Sequence, residues 1–134
     1  MPIQFSIAVR NARLDSIETT IGTSARLRIL TGTPPANCAA AETGTILATL
    51  VLPSDWLANA ASGAKALAGT WTGTAVASGT AGYYRIYDSS VTTCHEQGTI
   101  TATGGGGDLT FDNVSIANGQ TINITTFTKT DGNA

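Results

Sequence analysis

The sequence predicts a mainly-β fold: an antiparallel β-sandwich or jelly roll with one N-terminal helix. Three observations carry this reading. Apolar residues at helical spacing are confined to the first 22 positions. Beyond them, short alternating or β-branched runs are separated by Gly, Pro and Asn turn signals. No helical segment separates the later strands, so the βαβ pattern of a parallel sheet is absent. The 134 residues include 23 Thr, 20 Ala and 15 Gly, types that suit strands, turns and close backbone contacts rather than a conventional active site. The expected organisation is a helical segment over 1–22 and a β-sandwich domain over 23–134.

The helix starts after Ser6, a natural N-cap, and carries Ile7, Leu14, Ile17 and Ile21 on one stripe. Gly22 supplies the C-cap signal. Residues 25–30 alternate, with Leu27 and Ile29 inward, and stop at the turn Thr31-Gly32-Thr33-Pro34-Pro35. The Ala-rich stretch 36–42 around Cys38 reads as a covering loop. A buried strand follows over 46–52 and ends at Pro53. Ser54 or Asp55 can cap a single turn holding Trp56 and Leu57. After a small-residue loop over 58–65, residues 66–77 read as a strand pair or one long bent strand anchored by Trp71. Gly79-Thr80-Ala81-Gly82 reads as a turn, 83–87 as a strand, and 91–102 as its hairpin partner with a bulge at Gly98. Four glycines at 104–107 imply unusual dihedrals or close backbone approach. A short strand at 109–111 follows. Asn118-Gly119 signals a type I′ hairpin, and 120–130 forms the last strand, with Phe127 off the parity of Ile122 and Ile124. A fraying tail is expected over 131–134. The total is seven to nine short strands.

Composition bounds the function. Hydrophobic residues make up 42% of the chain but aromatics only 6%, so the core rests on Ile, Leu, Val and Ala. Such a modest core points to support from a homo-oligomer, a dimer or trimer. A net charge of -2 and a pI near 5.1 give no electrostatic footprint for nucleic acid. No run reaches the roughly 18 apolar residues of a membrane helix. Met1-Pro2-Ile3-Gln4-Phe5 lacks the basic and apolar regions of a signal peptide. Cys38 and Cys94 stand alone, outside any CxxC pair, and are expected to be reduced. A disulfide stays open if the fold brings them together.

Few residues offer chemistry. Thr93-Cys94-His95-Glu96 places Cys94 and Glu96 on one strand face and His95 on the other, which argues against a Cys–His dyad or metal site. Asp108 and Asp112 flank a short strand and could approach calcium, but no Asp-x-Asp-x-Asp-Gly loop exists. The glycine run lacks the Gly-Lys-Ser/Thr ending of a phosphate loop. No Gly-x-Ser-x-Gly elbow occurs. Neither catalytic residues nor a cofactor are expected. The candidate interface residues are Arg26 and Arg28, which share a strand face, and Tyr83, Arg85 and Tyr87, which share another. Tyr84 and Ile86 point to the core. The Tyr83 face also admits internal packing or stacking on a sugar.

Ala12-Arg13-Leu14-Asp15-Ser16-Ile17-Glu18 with Ile21-Gly22, Leu27-Arg28-Ile29-Leu30-Thr31-Gly32, Gly79-Thr80-Ala81-Gly82-Tyr83-Tyr84-Arg85-Ile86 and Gln97-Gly98-Thr99 together give a pattern that spans nearly the whole chain. It resembles small virion proteins of tailed bacteriophages, among them head cement and decoration proteins. The resemblance implies a non-enzymatic protein of the virion, made in the bacterial host cytoplasm, that binds phage coat or other virion proteins and stabilises the capsid. The alternative it admits is a tail or fibre module that recognises a host surface glycan.

Overall fold

The computed structural model describes residues 3–131. The predicted tail beyond Asp131 lies outside the described residues. In chain order the elements are α1 (Ile7–Ile21), β1 (Arg26–Thr31), β2 (Ile46–Val51), β3 (Ala64–Ala66), β4 (Trp71–Thr74), β5 (Gly79–Tyr87), β6 (Cys94–Ala102), β7 (Leu109–Phe111), β8 (Ser115–Ile116), β9 (Thr121–Ile124) and β10 (Thr128–Thr130). The domain is mainly β with one N-terminal helix.

The helix ends fall where the capping chemistry puts them. The Ser6 hydroxyl accepts from the Val9 N–H at 3.3 Å, and the Gly22 N–H donates to the Glu18 carbonyl at 2.9 Å with φ at +93°. The expected apolar stripe is only partly used. Leu14 and Ile21 are buried and Ile17 packs against the core, but Ile7 is exposed.

The central sheet runs β2-β1-β5-β6-β7. Its first three pairings are antiparallel, and β6–β7 is parallel. The sheet is therefore mixed, which corrects the expectation of a purely antiparallel sandwich. The glycine run is the cause. Gly104 and Gly106 have φ of +88° and +82°, and a Cβ on Gly105 or Gly107 would press into Thr101. The Gly107 N–H donates to Thr101 Oγ1 at 3.0 Å. Folded back this tightly, six residues suffice to bring Leu109 beside Ile100 in parallel register, where a dozen or more are usual.

The sheet is open, because its edge strands β2 and β7 do not pair with each other. It is also curled. Register shifts interrupt β1–β2, β1–β5 and β5–β6, and bulges of this kind strengthen local twist. Beyond β2 the chain rolls over the core: Val76 N–H donates to Leu47 O and Ala75 N–H to Gln120 O, both at 2.8 Å. The separate ladders β4–β9 and β3–β10 complete that side. The core between them holds Leu27, Ile29, Leu47, Leu50, Tyr84, Ile86, Ile100, Ile122 and Ile124. An aromatic chain runs through it. Trp56 and Trp71 have ring centres 5.9 Å apart, Trp71 and Phe127 5.4 Å, and Phe127 and Tyr84 5.7 Å edge to face.

Several local expectations change. Gly79–Gly82 is the first part of β5, not a turn. Its Gly82 is needed because a side chain there would collide with the Gly32 backbone. Gly98 sits in regular register opposite Tyr84 and makes room for that ring. Asn118-Gly119 does turn the chain, but β8 leaves to pair with β5 and β9 with β4, so no hairpin forms. The strand predicted over 120–130 divides into β9 and β10, with Phe127 buried at the break. Trp56 and Leu57 form no helical turn; Leu57 bridges to Leu67.

Candidate functional site

Pairing of β1 with β5 brings the five candidate residues to one sheet face. Arg26 lies opposite Tyr87, Arg28 opposite Arg85, and Leu30 opposite Tyr83. From β6, Cys94 lies opposite Tyr87 and Gln97 opposite Arg85. Directly opposed residues share a face. The other face, with Leu27, Ile29, Tyr84 and Ile86, forms the core as the alternation predicts.

The Tyr83–Arg85–Tyr87 face is not outward, however. The connection 32–45 between β1 and β2 lies across it as a strap. Tyr83 and Arg85 are 0% and 2% exposed, and Tyr87 is buried as well. The Tyr83 hydroxyl donates to Thr43 O at 2.6 Å and accepts from Thr43 N–H at 3.0 Å. The Arg85 guanidinium donates to Ala40 O at 2.8 Å, Asn37 O at 3.2 Å, Gln97 Oε1 at 3.2 Å and Tyr87 Oη at 3.4 Å. Gln97 Nε2 donates to Pro35 O at 2.7 Å. Arg28 pairs with Glu42 of the strap and stacks over the Tyr87 ring, 5.3 Å from its centre. Arg26 is half-buried and donates to Ser24 O. The expected covering loop over 36–42 thus closes on the very residues read as an exposed interface or sugar platform. A free arginine fork meets the strap's backbone carbonyls, and this satisfies acceptors that a strap over an apolar face would leave orphaned.

The Cys94–His95–Glu96 segment also departs from simple alternation. Tyr87 pairs with Cys94 and Ile86 with Glu96, so His95 is the bulged residue. Cys94 therefore faces the strap, and Glu96 faces the core side, where its carboxylate accepts from the Tyr84 hydroxyl at 2.7 Å and pairs with Lys129. Burial and the Glu96 charge push the Tyr84 phenol well above its ordinary value. His95 is exposed. The strap carries Cys38 over the part of the sheet that holds Cys94. Burial first, then a hydrogen bond with the Cys38 thiol, push the Cys94 thiol up to about 12. Asp108 and Asp112 serve different hydroxyls, Thr99 and Thr103. Among the described residues no group of three His, Cys, Asp or Glu is placed to hold a metal ion. No helix among them is long and apolar enough to cross a membrane.

One polar centre escaped the sequence reading. Lys65 of β3 is 2% exposed, and its ammonium donates to Asp15 Oδ1 at 2.7 Å and Ala58 O at 2.9 Å and pairs with Glu18 Oε2 at 3.1 Å. Asn11 accepts from Gly63 N–H and Asp15 from Ala60 N–H, each at 2.9 Å. Arg10 donates to Asp131 O at 2.6 Å. The helix is thus attached as much through its polar side as through Leu14 and Ile21. Asp15 and Glu18, one helical turn apart, were the available signal. Beside them opens a shallow cleft of about 440 Å³ lined by Asp15, Glu18, Asp55, Asn59 and Lys65.

This clamp has a defined pH window. The Lys65 hydrogen bond, then the Ala60 N–H, hold the Asp15 carboxyl below its ordinary value of 3.8. Burial disfavours the Lys65 ammonium, but hydrogen bonds to Asp15 and Glu18 outweigh it and hold the group above 10.5. Stability from Asp15 is therefore present above pH 3.8 and lost as pH falls through its lower folded value. Stability from Lys65 is complete below pH 10.5 and lost as pH rises through its higher folded value. Thermal melts of the native chain should be flat only up to pH 9.0, above which Cys94 and then Tyr84, both raised in the fold, also cost stability as they ionise in the unfolded chain. A Lys65→Met variant should show a weaker fall than the native chain at both the alkaline and the acid end; unchanged pH profiles would refute the clamp.

No protein-family model, characterised protein or solved structure matches this chain.

Proposed function

We propose that this chain is a non-enzymatic structural protein of a tailed-phage particle that binds the assembled shell and stabilises it through protein–protein contacts. The particle assignment rests on the sequence resemblance. The observation that supports a contact role is the division of labour between polar and apolar side chains. Lys65, Arg85, Arg28 and Lys129 are engaged internally. Ile3, Ile7 and Val9, by contrast, are 76%, 54% and 42% exposed along the N-terminal arm and first helical turn. Exposed apolar groups close in sequence at one end of a small domain are available for burial against another protein. The two ladders β4–β9 and β3–β10, facing the central sheet across the core, are compatible with a sandwich-like second layer. In this reading the arm and helix start seat on a coat subunit while a second surface joins copies of the chain as a dimer or trimer. Each bound copy then stabilises the shell by mass action.

The test pairs light scattering with co-sedimentation on mature, expanded phage shells. A dimer or trimer that pellets with shells is expected, and an Ile3→Ser, Ile7→Ser, Val9→Ser variant should weaken binding by at least tenfold. A strict monomer that stays in the supernatant would overturn the proposal.

A further inference from the structure

Cys38 and Cys94 are brought together by two elements that are each fixed independently. Cys38 follows Asn37, whose side-chain oxygen accepts from the Ala39 and Ala40 N–H groups at 2.9 and 3.0 Å and so shapes a tight turn. The carbonyls of Asn37 and Ala40, on either side of Cys38, both accept from the same Arg85 nitrogen. Pro35, three residues earlier, is held by Gln97 of β6 at 2.7 Å. Cys94 lies on that same face of β6, opposite Tyr87. The strap is therefore pinned on both sides of Cys38 over the stretch of sheet that carries Cys94. Both cysteines are free thiols and half-buried, within reach of a small reagent.

We propose that Cys38 and Cys94 are a disulfide site that fastens the strap to the central sheet when a low-molecular-weight disulfide is available as oxidant. The electrostatic influence of Cys38 on the Cys94 thiol agrees with that placement, and the Cys94 thiol itself donates to Glu96 O at 3.3 Å. The reaction is thiol–disulfide exchange. The thiolate of the strap cysteine, Cys38, attacks oxidised glutathione, forms a mixed disulfide and releases one glutathione thiol. Cys94 then gives up its proton and attacks the Cys38 sulfur, expelling the second glutathione. Two protein S–H bonds become one S–S bond, and two electrons and two protons leave on two glutathione molecules. Burial keeps the Cys94 thiol protonated, so the second step is slow. The bond would span 56 residues of chain, a long loop whose closure restricts the unfolded state strongly.

The test uses the full chain incubated with oxidised glutathione. Intact-mass analysis should show the loss of two hydrogens, and non-reducing peptide mapping should join the peptides that carry Cys38 and Cys94. The oxidised monomer should melt roughly 10 °C higher than the reduced one, a gain reversed by reductant. Cys38→Ser should retain its fold and lose the shift. Stable glutathione adducts on both cysteines, or disulfide-linked dimers in place of the internal link, would overturn the proposal. The mapping is made on the native sequence, so it does not depend on any variant folding.

Discussion

Trp71→Ala is expected to lower the stability of the domain by about 4 kcal/mol, the scale of removing a large aromatic from a packed core. The ring is 1% exposed and sits between Trp56 and Phe127 in the aromatic chain that ends at Tyr84. Its indole N–H donates to both Trp56 O and Ala68 O at 3.1 Å, tying β4 to the segment that precedes it. Alanine would open a cavity and leave two carbonyls without that donor. Trp71→Phe keeps most of the ring and loses only the donor, so its cost should be about half as large. Urea unfolding followed by circular dichroism measures both. A loss below about 1 kcal/mol for Trp71→Ala would mean that the aromatic chain does not organise the core.

Arg85→Met should have the second-largest effect, and a different character. Methionine fills similar volume but offers no donors to Asn37 O, Ala40 O, Gln97 Oε1 or Tyr87 Oη. Hydrogen bonds from a charged donor contribute about 1.5–3 kcal/mol each before relaxation; once the strap can lift and rehydrate its carbonyls, a net loss of about 3 kcal/mol is expected. The distinguishing readout is local. Amide exchange and limited proteolysis should accelerate across 36–43 while the core amides of β1 and β5 stay protected. Arg85→Lys should not restore the strap, since a point charge cannot reach acceptors spread around a planar fork. Uniform loss of protection throughout the chain would instead mark Arg85 as an ordinary core residue.

Much of the fold is legible in the sequence, and the reasons are specific. Ser6 and Gly22 mark the helix ends because their side-chain and backbone chemistry serves those positions directly. Leu27, Ile29, Tyr84 and Ile86 are assigned to the core by alternation alone, and the pleat enforces it. Alternation fails at His95. One bulged residue sends Cys94 and Glu96 to opposite faces, and no local signal distinguishes that bulge from a regular strand. The glycines at 104–107 announce close approach without revealing that it yields a parallel pair.

The candidate face shows a subtler limit. The five residues do assemble on one side of the sheet, but Arg85 looks like a surface residue to any reading that equates charge with solvent. Its burial follows from a strap whose own side chains are small and carry no period. What the strap offers the sheet is backbone carbonyls, and carbonyls leave no trace in a hydrophobicity pattern. The Lys65 clamp is hidden for a related reason: Asp15 and Glu18 resemble the ordinary solvated side of a helix until a buried cation from elsewhere meets them.

The strap also sets an order in time. The chain 32–45 joins β1 to β2, whereas its anchors Tyr83, Arg85 and Gln97 belong to the β5–β6 hairpin. The two hairpins meet only through pairs such as Leu27 with Ile86, 59 positions apart, and closing contacts of that separation is slow. Until they have met, the strap holds only to β1, through Arg28–Glu42 and Thr31–Thr45, and lacks its three anchors on β5 and β6. Its full seating therefore follows the meeting of the two hairpins, so a seated strap reports that the central sheet is complete.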